Sequence, residues 1–277
     1  DGLPSLVAVR QGIYDSLDIK IDFITYASAT DRDAAFLSGK LDGMLTDYPG
    51  ATLLQAKGSR LRLVMETDGS LSLIASKKSN VRNPDGLKGK NISVSSNTFV
   101  EYATDEVMKR ACLHPGEVNK PEINNISLRL MMLEDGQISA SFLPGPATAI
   151  ALNNGHTALL NTRQMGLRCT GIVFSEKAIT EKDEEIRRFI TGYNLGVKYL
   201  QTRPQNEWTE ILVKEFGLQE KAAMQIDLPD YRPATRPSYH DIEKIIAWLK
   251  SKGAIPDYYP GENLVDTTFI PGTLKPQ

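Results

Sequence analysis

The sequence predicts an α/β protein of two lobes, each a mostly parallel sheet flanked by helices. Three observations carry this reading. Short β-runs alternate with helical stretches through the first half of the chain, and one helix–strand–helix passage recurs at a fixed offset. The 277 residues also exceed one ordinary domain.

In order, Leu3 to Gln11 reads as a helix and Ile19 to Ile24 as a strand. Thr30 is placed to cap a helix over Asp31 to Ser38, which Gly39 closes. Strand Leu41 to Leu45, helix Pro49 to Lys57 with Gly58 behind it, and strand Leu61 to Met65 follow. The rhythm returns as strand Asn91 to Val94, helix Phe99 to Ala111, strand Ser139 to Leu143, helix Pro146 to Asn153 and strand Thr157 to Leu160. Setting Leu37–Gly58 beside Glu134–Gly155, an offset of 97, lays Gly39 on Gly136, Pro49 on Pro146 and Gly58 on Gly155 without a gap. Glycine closes each helix and proline opens the next, so a duplicated unit is expected.

Beyond Phe174 the texture is helical. Lys182 to Gln201 places Ile186, Phe189, Ile190, Tyr193, Val197 and Leu200 on one face. Helices near Glu207 to Phe216, Glu220 to Ile226 and Tyr239 to Lys250 follow and are expected to return to the first lobe. The lobes are then residues 1–75 with 176–277, and 76–175, joined by crossings near Leu73 to Ser79 and Ile172 to Lys177. Two crossings permit closure about a hinge.

Composition narrows the function. With 32 basic and 34 acidic residues the net charge is −2, without the basic excess usual for nucleic-acid binders. No apolar run reaches the ~18 residues of a membrane span. Asp1-Gly2-Leu3-Pro4 reads as a loop entering a helix, with neither an initiating Met nor a signal-peptide core, so removal of an upstream segment is expected. Cys112 and Cys169 are expected to be unconnected thiols.

Catalytic patterns are sparse. His114, His156 and His240 lack a metal-ligand spacing and read as surface residues, and no metal or cofactor is expected. No nucleophile elbow, phosphate loop or dinucleotide fingerprint is present. The run Glu181, Asp183, Glu184 and Glu185 suits a helix start.

Binding signals lie where strands run into helices. Ser95, Ser96, Asn97 and Thr98 form a polar nest beside free backbone N–H groups, although one cap would also explain a residue of this kind. The matching edges are Asp47 with Tyr48, and Pro144 with Gly145; Ser28 and Leu3 should line the same cleft. Asp47 could accept from a ligand N–H and Tyr48 could stack on a ring, with an Asp-initiated turn as the plain alternative.

Four stretches carry a family resemblance. They are the opening Asp1–Tyr14, the turn Phe36-Leu37-Ser38-Gly39-Lys40-Leu41-Asp42-Gly43, the run Asp85-Gly86-Leu87-Lys88-Gly89-Lys90-Asn91-Ile92-Ser93-Val94, and Leu264-Val265-Asp266-Thr267-Thr268-Phe269. Their order resembles type II periplasmic solute-binding proteins of ABC importers, in the sulfonate, nitrate and thiamine-precursor branch. The resemblance implies two lobes on a hinge, a small ligand (a sulfonate, organic anion or pyrimidine-like molecule), an ABC permease as partner, a monomer, and a periplasmic or lipid-anchored location. It also implies a β-strand before Asp1. The thiamine-pyrimidine synthases share the fold, but their cysteine-rich motif does not surround Cys112 or Cys169. An enzyme on this scaffold, chorismate-dehydratase-like or thiamine-pyrimidine-synthesis-like, is the alternative, with Asp47 and Glu101 as its titratable candidates.

Overall fold

The computed structural model describes residues 1–224 and 226–270. Helix α1 (Leu3–Arg10), a single turn α2 (Ile13–Ser16) and α3 (Ala29–Leu37) precede β1 (Gly43–Asp47), α4 (Tyr48–Ala56) and β2 (Leu61–Thr67). Next come β3 (Leu71–Ala75), the short β4 (Ile92–Ser93), α5 (Phe99–Arg110), α6 (Ile126–Asp135), β5 (Ala140–Pro144), α7 (Gly145–Asn153) and β6 (Thr157–Asn161). Strand β7 (Thr170–Ser175) leads into α8 (Glu176–Glu181), the long α9 (Asp183–Thr202), α10 (Thr209–Phe216), α11 (Glu220–Met224) and α12 (Tyr239–Ser251). Gln225, inside the expected helix Glu220–Ile226, and residues 271–277 of the first expected lobe lie outside the described residues.

The repeat holds residue for residue: β1 and β5, and likewise α4 and α7, have the same bounds at the 97-residue offset. Gly39 and Gly136 take left-handed φ values of 75° and 76° behind their helices, where any side chain would be strained.

Two sheets result, ordered β1-β7-β2 and β4-β5-β3-β6. The pairing differs from the parallel one expected. β7 lies antiparallel between β1 and β2, and β3 antiparallel between β5 and β6; only β4 with β5 is a parallel ladder among the described strands. Each sheet's other strands do share one direction, as the alternation requires. The exception is the strand that arrives from the opposite sheet and inserts centrally. The crossings therefore precede the expected ones, at 68–70 and 162–169, because Leu71–Ala75 and Thr170–Ser175 already pair inside the receiving sheets.

Hydroxyls lace these connections together. Thr67 Oγ1 donates to Thr170 Oγ1 at 2.9 Å, Gly69 N donates to the same oxygen at 3.1 Å, and Leu71 N donates to Thr162 Oγ1 at 3.0 Å.

Three expectations about elements are corrected. Ile19–Ile24 alternates like a strand but forms no ladder, and Phe23 and Ile24 remain exposed. Alternation makes a strand only where a neighbouring edge satisfies its N–H and C=O groups. Ser28, two residues earlier than Thr30, caps α3 by accepting from Asp31 N at 3.1 Å. His156 is buried, not on the surface: its Nδ1 accepts from Lys77 N at 3.0 Å, and Nε2 lies 2.8 Å from Glu134 Oε2. It ties the end of β3 to the start of β6.

One apolar cluster packs α1 and α9 on β2 and β7, through Leu6, Val7, Ile190, Tyr193 and Val197. The predicted face of α9 is the buried one. A second cluster joins the sheets: Tyr48 and Leu54 of α4 share it with Phe99, Tyr102 and Val107 of α5 and Ile245 and Leu249 of α12. A third seats Leu133 of α6 against Ile74 and Leu143.

Candidate functional site

Chain starts of several helices converge on one cleft of about 1090 Å³ between the two sheets. This follows from the topology: strands of a βα unit deliver the N-termini of their following helices to one end of the sheet. Among the described residues no group of three His, Cys, Asp or Glu could hold a metal ion.

The sequence-derived candidates divide. Leu3, Ser28, Asp47, Ser95, Thr98, Pro144 and Gly145 line the cleft; Tyr48, Ser96 and Asn97 do not. Tyr48 is turned away, 0% exposed, with its hydroxyl donating to Glu66 Oε2 at 3.0 Å. Burial, then the Glu66 carboxylate, pushes its pKa up, so the ring is a core anchor and no cleft platform. Glu66 in turn accepts from Arg232 Nη2 at 2.8 Å.

The polar nest is closed by the protein's own groups. Ser95 Oγ donates to Asn124 Oδ1 at 2.7 Å. Asn97, at φ 57°, donates its backbone N–H to Glu101 Oε2 at 2.7 Å. Thr98 caps α5 by accepting from Val100 N at 3.2 Å. Phe99 N, a backbone donor beside the nest, donates to Asp47 Oδ2 at 3.0 Å.

Both oxygens of Asp47 are thereby engaged, since its Oδ1 accepts from Gly50 N at 2.7 Å as the cap of α4. Burial raises its pKa, while the Arg32 guanidinium and the Phe99 and Gly50 N–H groups oppose that rise. A carboxylate serving two helix starts satisfies donors and complements both dipoles, so its role is to hold the cleft's walls in register. Ser28 is likewise engaged, donating to Asp31 Oδ2 at 2.7 Å besides capping α3.

Glu101 faces away from the cleft. Burial raises its pKa, but the Lys252 ammonium, the Asn97 N–H and Lys120 outweigh that and hold it low. Lys120 also pairs with Asp105 at 2.8 Å, and Trp248 Nε1 donates to Asp105 Oδ2 at 3.0 Å, which binds α5 to α12.

Two polar cleft residues with unpartnered buried atoms escaped the sequence reading. Arg129 of α6 lines the cleft yet is 3% exposed, with Nη1 donating to the Phe142 carbonyl at 3.1 Å and Nε without a partner. Among the described residues no carboxylate pairs with it, and burial alone pushes its pKa down to about 10. Its neighbours in sequence, Leu128 and Leu130, make it look like an ordinary surface position of an amphipathic helix. Thr46 Oγ1, on the opposite wall, is also buried without a partner.

Comparison with known proteins fixes the family: residues 1–207 match the one described as NMT1/THI5 like. The chain belongs to the NMT1/THI5-like family. A Haemophilus influenzae protein whose name connects it to thiamine biosynthesis is 21% identical over 266 residues, covering 91% of this chain and 83% of that one. Among solved structures, the alkanesulfonate-binding protein of Xanthomonas axonopodis pv. citri, bound to MOPS, superposes with a TM-score of 0.78 at 18% identity, covering 92% of this chain and 91% of that one. The periplasmic nitrate-binding protein of Synechocystis PCC 6803 does so at 0.79 and 12%, covering 93% and 80%. At 0.67 and 11% the likeness extends to the desulfurization enzyme DSZB, covering 96% of this chain and 94% of that one. This NMT1/THI5-like chain thus has the fold of periplasmic binding proteins. No helix among its described residues is long and apolar enough to cross a membrane.

Proposed function

We propose that the protein is a solute-binding receptor that takes a small polar or organic molecule between its two lobes and hands it to an ABC importer permease. The observation that carries this reading is the cleft itself, which lies between two sheets joined by two short crossings. Such a pair of connections can bend without unfolding either sheet. The division into two lobes belongs to the same proposal, with its boundaries moved from 75 and 176 to the crossings at 68–70 and 162–169. The named ligands of the similar sulfonate- and nitrate-binding proteins support it, and a periplasmic or surface-tethered location and a monomeric state belong to the same proposal.

The second reading is an enzyme, favoured by the thiamine-biosynthesis name of the relative and by DSZB's sharing the fold. Against it stand the two titratable candidates. Asp47 has both oxygens on backbone donors, and Glu101 is held by lysines, so neither is poised for proton transfer to a cleft ligand.

The test is native mass spectrometry and thermal shift against sulfonates, nitrate, organic anions and pyrimidines, with small-angle scattering of the best binder. A receptor gains thermal stability and becomes more compact on binding, and releases the solute unchanged. Chemical conversion of a bound solute would replace this reading with the enzymatic one.

A further inference from the structure

Resting on the receptor reading, we propose that the β5 side of the cleft holds an oxyanion head group, a sulfonate, carboxylate or phosphate, between the Arg129 guanidinium and the N-terminus of α7. Two independent observations meet there. The first is the unpaired charge. An arginine buried to 3% exposure ordinarily pairs with a carboxylate, because removing a cation from water is costly without a counter-charge. Among the described residues Arg129 has only the Phe142 carbonyl; its Nε is buried without a partner, and the residue lines the cleft.

The second is the helix start three residues beyond Phe142. The 97-residue repeat makes Pro144 the counterpart of Asp47. Asp47 closes the N-terminus of α4 with its carboxylate and reaches across to α5; Ser28 closes α3. Pro144 has no side chain that can cap, so α7 opens on the cleft at Gly145 with no side-chain acceptor among the described residues. Helix α1 also begins there without a cap, but Arg129 is the one buried arginine or lysine side chain among the described residues, and it lies on the β5 side. At the α7 start, a missing negative group would satisfy both the dipole and the guanidinium. Gly145 itself is not crowded: a Cβ there would come no nearer than 3.7 Å to Ile226 Cδ1. Thr46, from the facing sheet, also lines the cleft, with its Oγ1 buried and unpartnered among the described residues.

The experiment titrates methanesulfonate, acetate and methyl phosphate, each beside its neutral counterpart (methanesulfonamide, acetamide, trimethyl phosphate), by calorimetry. It uses the wild-type chain, Arg129→Met, Arg129→Lys and the rim control Lys40→Gln. Expected is binding of at least one anion at least tenfold tighter than its counterpart. That preference should fall ten- to a hundred-fold in Arg129→Met, be partly kept in Arg129→Lys, and stay within twofold in Lys40→Gln. Thermal unfolding of unliganded Arg129→Met separates a binding role from a structural one: its Tm should match or exceed the wild type, since a buried unpaired charge has gone. Unaltered anion binding in Arg129→Met, equal affinity for neutral counterparts, or a Tm lowered together with every binding signal would each overturn the proposal. If no anion binds but a neutral solute from the wider panel does, the oxyanion site is refuted and the receptor reading stands. If nothing binds at all, both fall.

Discussion

Asp47 Oδ2 accepts the backbone N–H of Phe99 at 3.0 Å, so a residue closing the first strand of one sheet caps a helix that follows a strand of the other. With Oδ1 on Gly50 N, one carboxylate fastens two helix starts on facing walls of the cleft. Asp47→Ala should cost about 1–3 kcal/mol in urea unfolding, the loss of two cap-type bonds. Because burial raises its pKa, the folded state takes up the Asp47 proton more readily than the unfolded chain. The wild type should therefore lose stability relative to Asp47→Asn as pH rises from about 3.9 through the raised value. The opposite slope would refute the assignment.

Tyr48→Phe should destabilise by about 1 kcal/mol, through the hydrogen bond lost to buried Glu66, and leave solute affinity unchanged. A calorimetric affinity altered more than twofold would bring Tyr48 back into the site.

Glu101 anchors α5 to α12 through Lys252 and Lys120. Its depressed folded pKa means that its contribution is present above the unfolded value of about 4.3 and is lost as pH falls through the lower folded value. Glu101→Gln should cost about 1–2 kcal/mol near neutrality, allowing for the part-exposed lysines, and flatten the acid limb of the stability curve. An unaltered acid limb would count against this anchor.

Thr170→Val removes the hydroxyl that accepts from Gly69 N and links to Thr67 at the crossings. About 1–2 kcal/mol of stability should go, because the buried N–H is left unpaired. Ligand-induced compaction, followed by scattering, should become less complete. Identical closure would show that the hydroxyl lacing does not guide the hinge.

Cys112 is exposed and Cys169 buried, and both are free. Reductant should leave Tm unchanged, and a maleimide should label Cys112 in the folded protein while Cys169 reacts only on unfolding. Burial, then Asp241, raises the Cys169 pKa and keeps the thiol protonated. Labelling of both thiols in the folded state would contradict this placement.

What depends on local chemistry is legible from the residues alone. The glycines and prolines at the 97-residue offset set the bounds of β1–α4 and β5–α7, since left-handed φ values and N1 positions are properties of single residues. The buried face of α9 was equally legible from spacing alone. Tertiary structure decided what depends on partners. It left Ile19–Ile24 without a ladder, inserted β3 and β7 antiparallel into the receiving sheets, and buried His156. It also redistributed the site. Ser95, Asn97 and Thr98 have ligand-binding chemistry, yet their groups and the nearby N–H donors are closed by Asn124, Glu101 and Asp47, residues from 4 to 52 positions away. Arg129 gives no signal in sequence, because an arginine on a helix is ordinarily solvated. Only the packing of α6 over β5 removes its water and leaves the charge facing the cleft.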